Sequence, residues 1–463
     1  MTTEKRPNLI PLDGELKPAR AIIRTIINAG GRPLFVGGCV RDALLGLPSK
    51  DLDIEVHGLP AETLKRALRA RHDLISVGQS FGVFKLLKLP IDISLPRREM
   101  KTGAGHRGFA IWGDPRMGIP EAAARRDFTI NALYWDPAND ALLDPHNGLD
   151  DLRKRVLRHT SPAFAEDPLR VLRAMQFIAR YQLVAAPETI ALCRRIEPEG
   201  LPAERIFEEW TKLLLKGEQP SLGLHFLNAT GWLRHYPELH ALAGCPQDPQ
   251  WHPEGDVWEH TLHCLDAFAQ HREGDKWEDL VVGLAVLCHD FGKPATTRLG
   301  EDGRWHAYGH EAAGGPPTRA FLQRMTRHKE LIESVVPLVE CHMRPLELHR
   351  AKAGDAAIQR LAQHVTRIDR LVRVDAADQR GRPPRDPGEL PHGKWLLERA
   401  TALSIKASAP KPILRGRDLI QLGLAPGREF RAILSEAFEA QLDGAFSDAT
   451  GAVAWARNRV NKR

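Results

Sequence analysis

Phe35-Val-Gly-Gly-Cys-Val-Arg-Asp42, followed after a leucine-rich turn by Lys50-Asp-Leu-Asp-Ile-Glu-Val56, sets the fold class of the first part of this 463-residue chain. Leu34-Phe-Val36 reads as a short apolar strand, Gly37-Gly38 turns the backbone with its N–H groups exposed, and Val40-Arg-Asp-Ala-Leu-Leu45 continues as a helix. A second strand then carries Asp51 and Asp53. Side chains alternate along a strand with period 2, so both carboxylates project from one face and can together hold two divalent cations. Gly-Gly alone, or Asp-x-Asp alone, reads more simply as a turn or a solvated pair. In this order and this short span they favour a triphosphate cradle with Arg41 beside it, the apparatus of phosphoryl transfer.

Hydrophobic residues make up 43% of the chain, enough to bury several cores, and the length suggests about three domains. No apolar run reaches membrane-spanning length; the longest, Leu280 to Cys288, reads as a buried core segment. The first residues, Met1-Thr-Thr-Glu-Lys-Arg, lack an apolar signal region, so a cytoplasmic location is expected. Six cysteines without a Cys-x-x-Cys pair predict reduced, buried thiols. The formal charge of +6 permits an anionic partner such as RNA without requiring one.

An amphipathic helix is expected over residues 16–29. Alternating β and α patterns run to about residue 145, with strands near 34–36, 52–56, 83–88 and 91–95 and helices near 40–46 and 61–70. The stretch Pro96 to Ala124 is dense in Gly, Arg and Pro and predicts a mobile functional loop. From about residue 150 the pattern is helical only, interrupted at Gly244-Cys-Pro-Gln-Asp-Pro249. A histidine-rich helical unit begins at Trp251, and two or three further helices follow Gln379 to Gly388. The domain boundaries expected from this pattern are 1–148, 149–245, 250–380 and 381–463.

Arg125-Arg-Asp-Phe-Thr-Ile-Asn-Ala-Leu133, if helical, places Asp127 and Asn131 on one face, where carboxylate and amide could grip a ribose hydroxyl while the arginines meet phosphates. An exposed charged helix start is the equal alternative. Asp144-Pro-His-Asn-Gly-Leu-Asp-Asp-Leu152 is turn chemistry, either a loop or a hinge. In Glu166-Asp-Pro-Leu-Arg-Val-Leu-Arg173, Asp167 suits an N-cap and Pro168 the first helical position. Asp167 and Arg170 also lie one turn apart. A carboxylate only accepts hydrogen bonds and a guanidinium only donates them, which matches the amine-plus-ring-nitrogen edge shared by cytosine and adenine. Glu204, Arg205, Glu208 and Lys212, on the helix from Pro202 to Leu214, either brace that pair or form a wet face.

The succession of these motifs over residues 34 to about 215 resembles the class II tRNA nucleotidyltransferase and poly(A) polymerase family. The resemblance implies an α+β chain: a small polymerase β-like α/β head, then an all-α neck, body and tail that hold tRNA. It implies Asp51 and Asp53 as catalytic ligands of Mg²⁺, with Asp92 as a candidate third carboxylate. Nucleotide contacts would fall to Gly38, Arg41, Arg126, Asp127, Asn131, Asp167, Arg170 and Arg173, with CTP, ATP and the tRNA 3′ end as partners, and a monomer or homodimer as the working form.

His260, His289-Asp290, His310, His342 and Asp378 supply imidazoles and carboxylates suited to a hydrolytic transition-metal site. The set resembles the HD phosphohydrolase superfamily, which implies His260, His289, Asp290 and Asp378 as ligands of Ni²⁺, Mn²⁺ or a similar ion. His310 and His342 match the positions of a second metal in some members. Leu414 to Arg428 resembles the C-terminal segment of tRNA nucleotidyltransferases that carry this domain. The expected activity is addition and repair of the tRNA 3′-terminal C-C-A, joined to a metal-dependent hydrolase of phosphatase or 2′,3′-cyclic phosphodiesterase type. An A-adding enzyme or poly(A) polymerase on the same scaffold is one alternative. A hydrolase with an RNA-binding front half is the other.

Overall fold

The computed structural model describes residues 1–49, 51–70, 74–76, 83–87, 89–101, 109–385 and 388–461, and divides into two compact units. The first comprises residues 1–213 and 222–235, the second residues 214–221 and 236–463.

The strands of the first unit are β1 (Thr2–Lys5), β2 (Arg32–Val36), β3 (Leu52–His57), β4 (Leu74–Ser76), β5 (Val83–Leu86), β6 (Ile91–Ser94), β7 (Arg97–Lys101), β8 (Phe109–Gly113), β9 (Tyr134–Asp136) and β10 (Ala141–Asp144). Eight of them form one sheet in the order β1-β10-β9-β2-β3-β6-β5-β4. Only β3 and β6 run parallel within it, and their register sets Asp53 opposite Asp92. Period 2 is visible along β3: Leu52, Ile54 and Val56 are fully buried on one face, leaving Asp53, Glu55 and His57 on the other. Helix α1 (Pro18–Asn28) buries Ala19, Ile22, Ile23 and Ile26, a helical stripe, and Ile26 closes with Val56 around Gly31. Further helices are α2 (Gly38–Leu44), α3 (Ala61–Arg69), α4 (Ile119–Ala124), α5 (Gly148–Arg153), α6 (Leu169–Tyr181), α7 (Pro187–Cys193), α8 (Ala203–Lys216) and α9 (Pro220–Ala229).

Several expectations are corrected here. The stretch from Pro96 to Ala124 is not one irregular loop: β7 and β8 pair antiparallel and α4 follows, while residues 102–108 lie outside the described residues. Asp51 stands in a bend just before β3 instead of on it. Arg125 to Leu133 is not an α-helix but contains one 3₁₀ turn, Thr129–Asn131. The Asp144 to Leu152 segment is a capped turn leading into α5. Asp144 accepts from the N–H groups of Gly148 (2.8 Å) and Leu149 (2.9 Å) at the start of α5. A side chain on Gly148 would run into the Thr129 carbonyl at 2.1 Å, so only glycine fits. Strand β1 was not foreseen, nor were the paired strands Val156–Leu157 and Val184–Ala185 in the stretch read as helical only.

The second unit is helical. After α10 (Pro237–His240) come α11 (Val257–Gln270), α12 (Lys276–Cys288), α13 (Lys293–Thr296), α14 (His310–Met325), α15 (Lys329–Glu340), α16 (Arg344–Arg350), α17 (Asp355–Val365) and α18 (Ile368–Arg380). A small strand pair, Arg298–Leu299 with Trp305–His306, interrupts them. The tail holds four helices, α19 (Pro391–Ala402), α20 (Gly416–Gln421), α21 (Arg428–Leu442) and α22 (Ala449–Asn461), where two or three were expected. The last three enclose their own core around Leu419, Phe430, Ile433 and Ala452. All six cysteines are buried and unpaired. Among the described residues no helix is long and apolar enough to cross a membrane.

Candidate functional sites

In the first unit the turn after β2 is a glycine position for a reason. Gly37 has φ +71°, and a side chain there would meet Arg126 Nη1 at 3.1 Å and approach Asp53 Oδ2. The turn, Arg126 and Asp53 therefore share one spot. Partial burial raises the Asp53 carboxyl above its ordinary range, Arg126 offsets part of this, and repulsion from Asp92 and Asp51 adds to it. The parallel register of β3 and β6 sets the Asp53 and Asp92 carboxylates side by side, oxygen donors of the kind Mg²⁺ takes. Asp92 also pairs with Lys85 at 3.1 Å.

Glu55 and His57, which the sequence reading passed over, continue the Asp53 face. His57 Nε2 lies 2.9 Å from Glu55, and Arg126 Nη2 donates to Glu55 at 3.0 Å. Burial pushes the Glu55 carboxyl up, but His57 and Arg126 outweigh it and hold it below the usual range. Arg126 is thereby oriented by a carboxylate and by the Tyr134 ring, 5.3 Å from its guanidinium.

Arg41 is turned inward. It donates to Asp42 (2.9 and 2.7 Å), Asn131 and the Tyr181 hydroxyl (2.7 Å), with its guanidinium 4.6 Å from the Tyr181 ring. Asp127 is buried at the centre of the next layer. Its Oδ1 accepts from Phe128 N–H (2.8 Å) and Asn131 Nδ2 (2.9 Å), and its Oδ2 from Arg173 Nε (2.8 Å). Asp127 and Asn131 thus meet as expected, although through a 3₁₀ turn. Burial pushes the Asp127 carboxyl up, yet Arg173, Asn131 and the Phe128 N–H hold it below its usual value. Its charge accordingly stabilises the fold above about pH 4, the ordinary aspartate range, and that contribution is lost as pH falls through the lowered value. Asp127→Asn is expected to cost about 2 kcal/mol at neutral pH, less than a fully buried pair because Arg173 is partly solvated. The deficit should shrink below pH about 4. Denaturant unfolding at both pH values checks this, and an equal deficit at both would contradict it.

At the start of α6, Asp167 Oδ1 accepts from Leu169 N–H (3.1 Å) and Oδ2 from Arg205 (2.9 Å). Arg170 is held by the carbonyls of Ala163 (2.9 Å) and Arg125 (2.7 Å). Arg205 on α8 therefore braces Asp167. Glu209, one turn further along α8, is 1% exposed, bonds Lys212 at 2.7 Å and was also missed. Asp53, Gly38, Arg41, Arg126, Asp127, Asn131, Asp167, Arg170 and Arg173 all line one cavity of about 540 Å³.

The second unit gathers the histidines. His289, His310 and His342 each donate Nδ1–H to a backbone carbonyl, of Val286 (2.7 Å), Ala307 (2.8 Å) and Val339 (2.8 Å), and His260 Nδ1 faces Glu254 at 2.8 Å. A carbonyl can only accept, so these bonds fix the tautomers and leave Nε2 as the ligating atom. The Nε2 atoms converge: His260 to His289 is 3.3 Å and His310 to His342 is 3.2 Å. Asp290 stands between the pairs, Oδ2 at 3.3 Å from His289 and Oδ1 at 3.4 Å from His310. Its Oδ2 also pairs with the Lys293 ammonium at 2.7 Å. Asp378 Oδ1 is 2.9 Å from His260 Nε2 and is held by Arg382. Converging imidazole nitrogens around a buried carboxylate fit a metal centre.

Burial disfavours the charged form of His289, but Asp290 prevails and lifts it to about 10. His342 moves the other way, to about 3, through burial and then its His310 and His289 neighbours. The site opens into a cavity of about 670 Å³. Residues missed in the sequence are Glu254, Cys264 and Arg382; Cys264 lies four residues after His260 and Arg382 four after Asp378, a spacing that was a local signal for both.

Residues 34–158 match the family described as Poly A polymerase head domain. The chain is 39% identical over 391 residues to the Multifunctional CCA protein of Xylella fastidiosa strain 9a5c, covering 81% of this chain and 90% of that one. In fold it is similar to the Bacillus stearothermophilus CCA-adding enzyme in complex with CTP (22% identity, TM-score 0.67, 97% and 99% of the two chains). It is also similar to the Thermotoga maritima CCA-adding enzyme complexed with tRNA (20% identity, TM-score 0.60, 99% and 100%).

Proposed function

Because this chain belongs to the family of multifunctional CCA proteins, we propose that its first unit adds the 3′-terminal C-C-A to tRNA from CTP and ATP. The observation that carries the reading is the meeting of Asp53, Gly37 and Arg126 in a cavity that also holds Asp167 and Arg170. The tRNA 3′-hydroxyl attacks the α-phosphate in line, and pyrophosphate leaves. Asp51 and Asp53, with Asp92 in register opposite Asp53, would hold Mg²⁺, which would supply activation of the nucleophile and stabilisation of the leaving charge. Gly37 and Gly38 present backbone to the phosphates, and Arg126, aimed by Glu55, meets their charge. Asn131, which lines the cavity and is held by Asp127, is proposed to meet the ribose, with Asp127 and Arg173 fixing its position.

Asp167 and Arg170 read the base. Arg205 and two carbonyls orient them while leaving other lone pairs and N–H donors unspent. Asp167→Ala or Arg170→Ala is expected to admit UTP or GTP, since a good edge match contributes roughly 1–3 kcal/mol of discrimination. Helix capping alone predicts a stability loss of about 1 kcal/mol with base choice unchanged. Misincorporation and melting temperature of the same variants distinguish the two. The reaction itself is tested on tRNA lacking its last three, two or one nucleotides, with each nucleotide separately. Incorporation of A only would assign the chain to A addition instead.

The second unit is proposed as a metal-dependent phosphohydrolase, with His260, His289, Asp290 and Asp378 as ligands and His310 and His342 beside them. A transition metal there supplies an activated water at neutral pH. Glu254 fixes the His260 ring, Lys293 and Arg382 balance the carboxylates, and the adjoining cavity admits a phosphoester.

A further inference from the structure

Four aromatic side chains are exposed among the described residues, Trp112, Trp251, Trp305 and Tyr308, and the last three line the cavity that opens off the histidine cluster. Single exposed apolar residues are ordinary on a surface, but three rings on the wall of one cavity are not scatter. Tyr308 is 81% exposed and nevertheless held in place. Its ring stacks on His306 at 5.1 Å with 10° between the planes, and its hydroxyl lies 3.2 Å from His306 Nδ1. Asp302 fixes His306 Nε2 at 3.0 Å, and Arg304 ties the same strand pair to Asp248 at 2.5 Å. One face of the tyrosine ring is therefore backed by an imidazole while the other stays open to a ligand.

The same cavity reaches Asp290, His310 and His342 of the metal-capable cluster and the cations Lys293, Arg350 and Arg382. A ligand that satisfies both parts is planar at one end and anionic at the other. At about 670 Å³ the space suits a whole small molecule instead of a bare phosphate group. We propose that Trp251, Trp305 and Tyr308 form a base-stacking subsite, so that the second unit takes a nucleotide with its base against these rings and its phosphate toward the histidine cluster. This deepens the phosphohydrolase reading and rests on it for the direction of the phosphate. Every base has a π-face, so the subsite requires a base without choosing among the four.

The test uses the full chain and calorimetric binding of adenosine 3′-monophosphate, with inorganic phosphate and O-phosphotyrosine as comparison probes, a readout independent of turnover. Tyr308→Ala and Trp305→Ala should each weaken nucleotide binding at the second unit by about 5–150-fold, which corresponds to ~1–3 kcal/mol per stacked base. Tyr308→Phe, which keeps the ring, should bind as the wild type does. Affinity for inorganic phosphate and C and A addition should stay unchanged in all three variants. Nucleotide binding within twofold of wild type in both alanine variants, or an equal loss for inorganic phosphate, would overturn the subsite. So would O-phosphotyrosine binding as tightly as the nucleotide with the same dependence on both rings, or no nucleotide binding to the wild type. Hydrolysis of a baseless ester, glycerol 1,2-cyclic phosphate, tests the metal reading separately. Its absence in the wild type, with ring-dependent nucleotide binding intact, would overturn the hydrolase and leave the subsite standing.

Discussion

Asp53→Asn is expected to abolish C and A addition, by on the order of a thousandfold or more, because it withdraws charge from a cation site that contributes several kcal/mol to the transition state. Asp51→Asn should act in the same direction. Replacing Asp53 removes a group that desolvation, Asp92 and Asp51 disfavour as an anion and that Arg126 only partly supports, so the folded protein should lose little stability by it. Falling activity with nearly unchanged stability separates a cation ligand from a structural carboxylate. Incorporation on truncated tRNA, measured with a melting curve and tRNA affinity, checks all three quantities. Activity within tenfold of wild type would sink the assignment.

The second large effect belongs to the other unit. His289→Ala or Asp290→Ala is expected to remove chelator-sensitive hydrolysis of phosphoesters by about a hundredfold or more, 2′,3′-cyclic nucleotides being the first substrates to assay. C and A addition should persist, because Asp51 and Asp53 lie in a different compact unit. The two side chains act differently when no metal is added: Asp290 holds the neighbouring imidazolium charge, so its loss should also destabilise the unloaded protein at neutral pH. If the wild type hydrolyses nothing with any of several divalent ions and carries no metal by elemental analysis, the histidines are structural.

What the sequence disclosed and what it withheld divide along a physical line. Gly37 must adopt positive φ, and Leu52, Ile54 and Val56 alternate with Asp53 and Glu55, so the cradle and its strand were legible from local rules. Arg125 to Leu133 misled because Asp127 takes the Phe128 N–H and the Asn131 amide, side-chain bonds that compete with a helix. Arg41 could be placed at the turn but not oriented, since its partner Tyr181 is 140 residues away. In the histidine cluster the ligand types were visible. The convergence of their Nε2 atoms was not, because each ring is aimed by a backbone carbonyl or by Glu254.

Strand β1 has a consequence for handling the protein. Thr2–Lys5 lies along β10, whose Ala141, Leu142 and Leu143 are buried, and it occupies the hydrogen-bonding groups that β9 does not. With β1 cut away or displaced by a fusion, β10 would become an apolar sheet edge open to pairing with a second chain. Trimming these few residues would then show first as aggregation in concentrated stocks, with nucleotide addition intact in whatever stays dissolved.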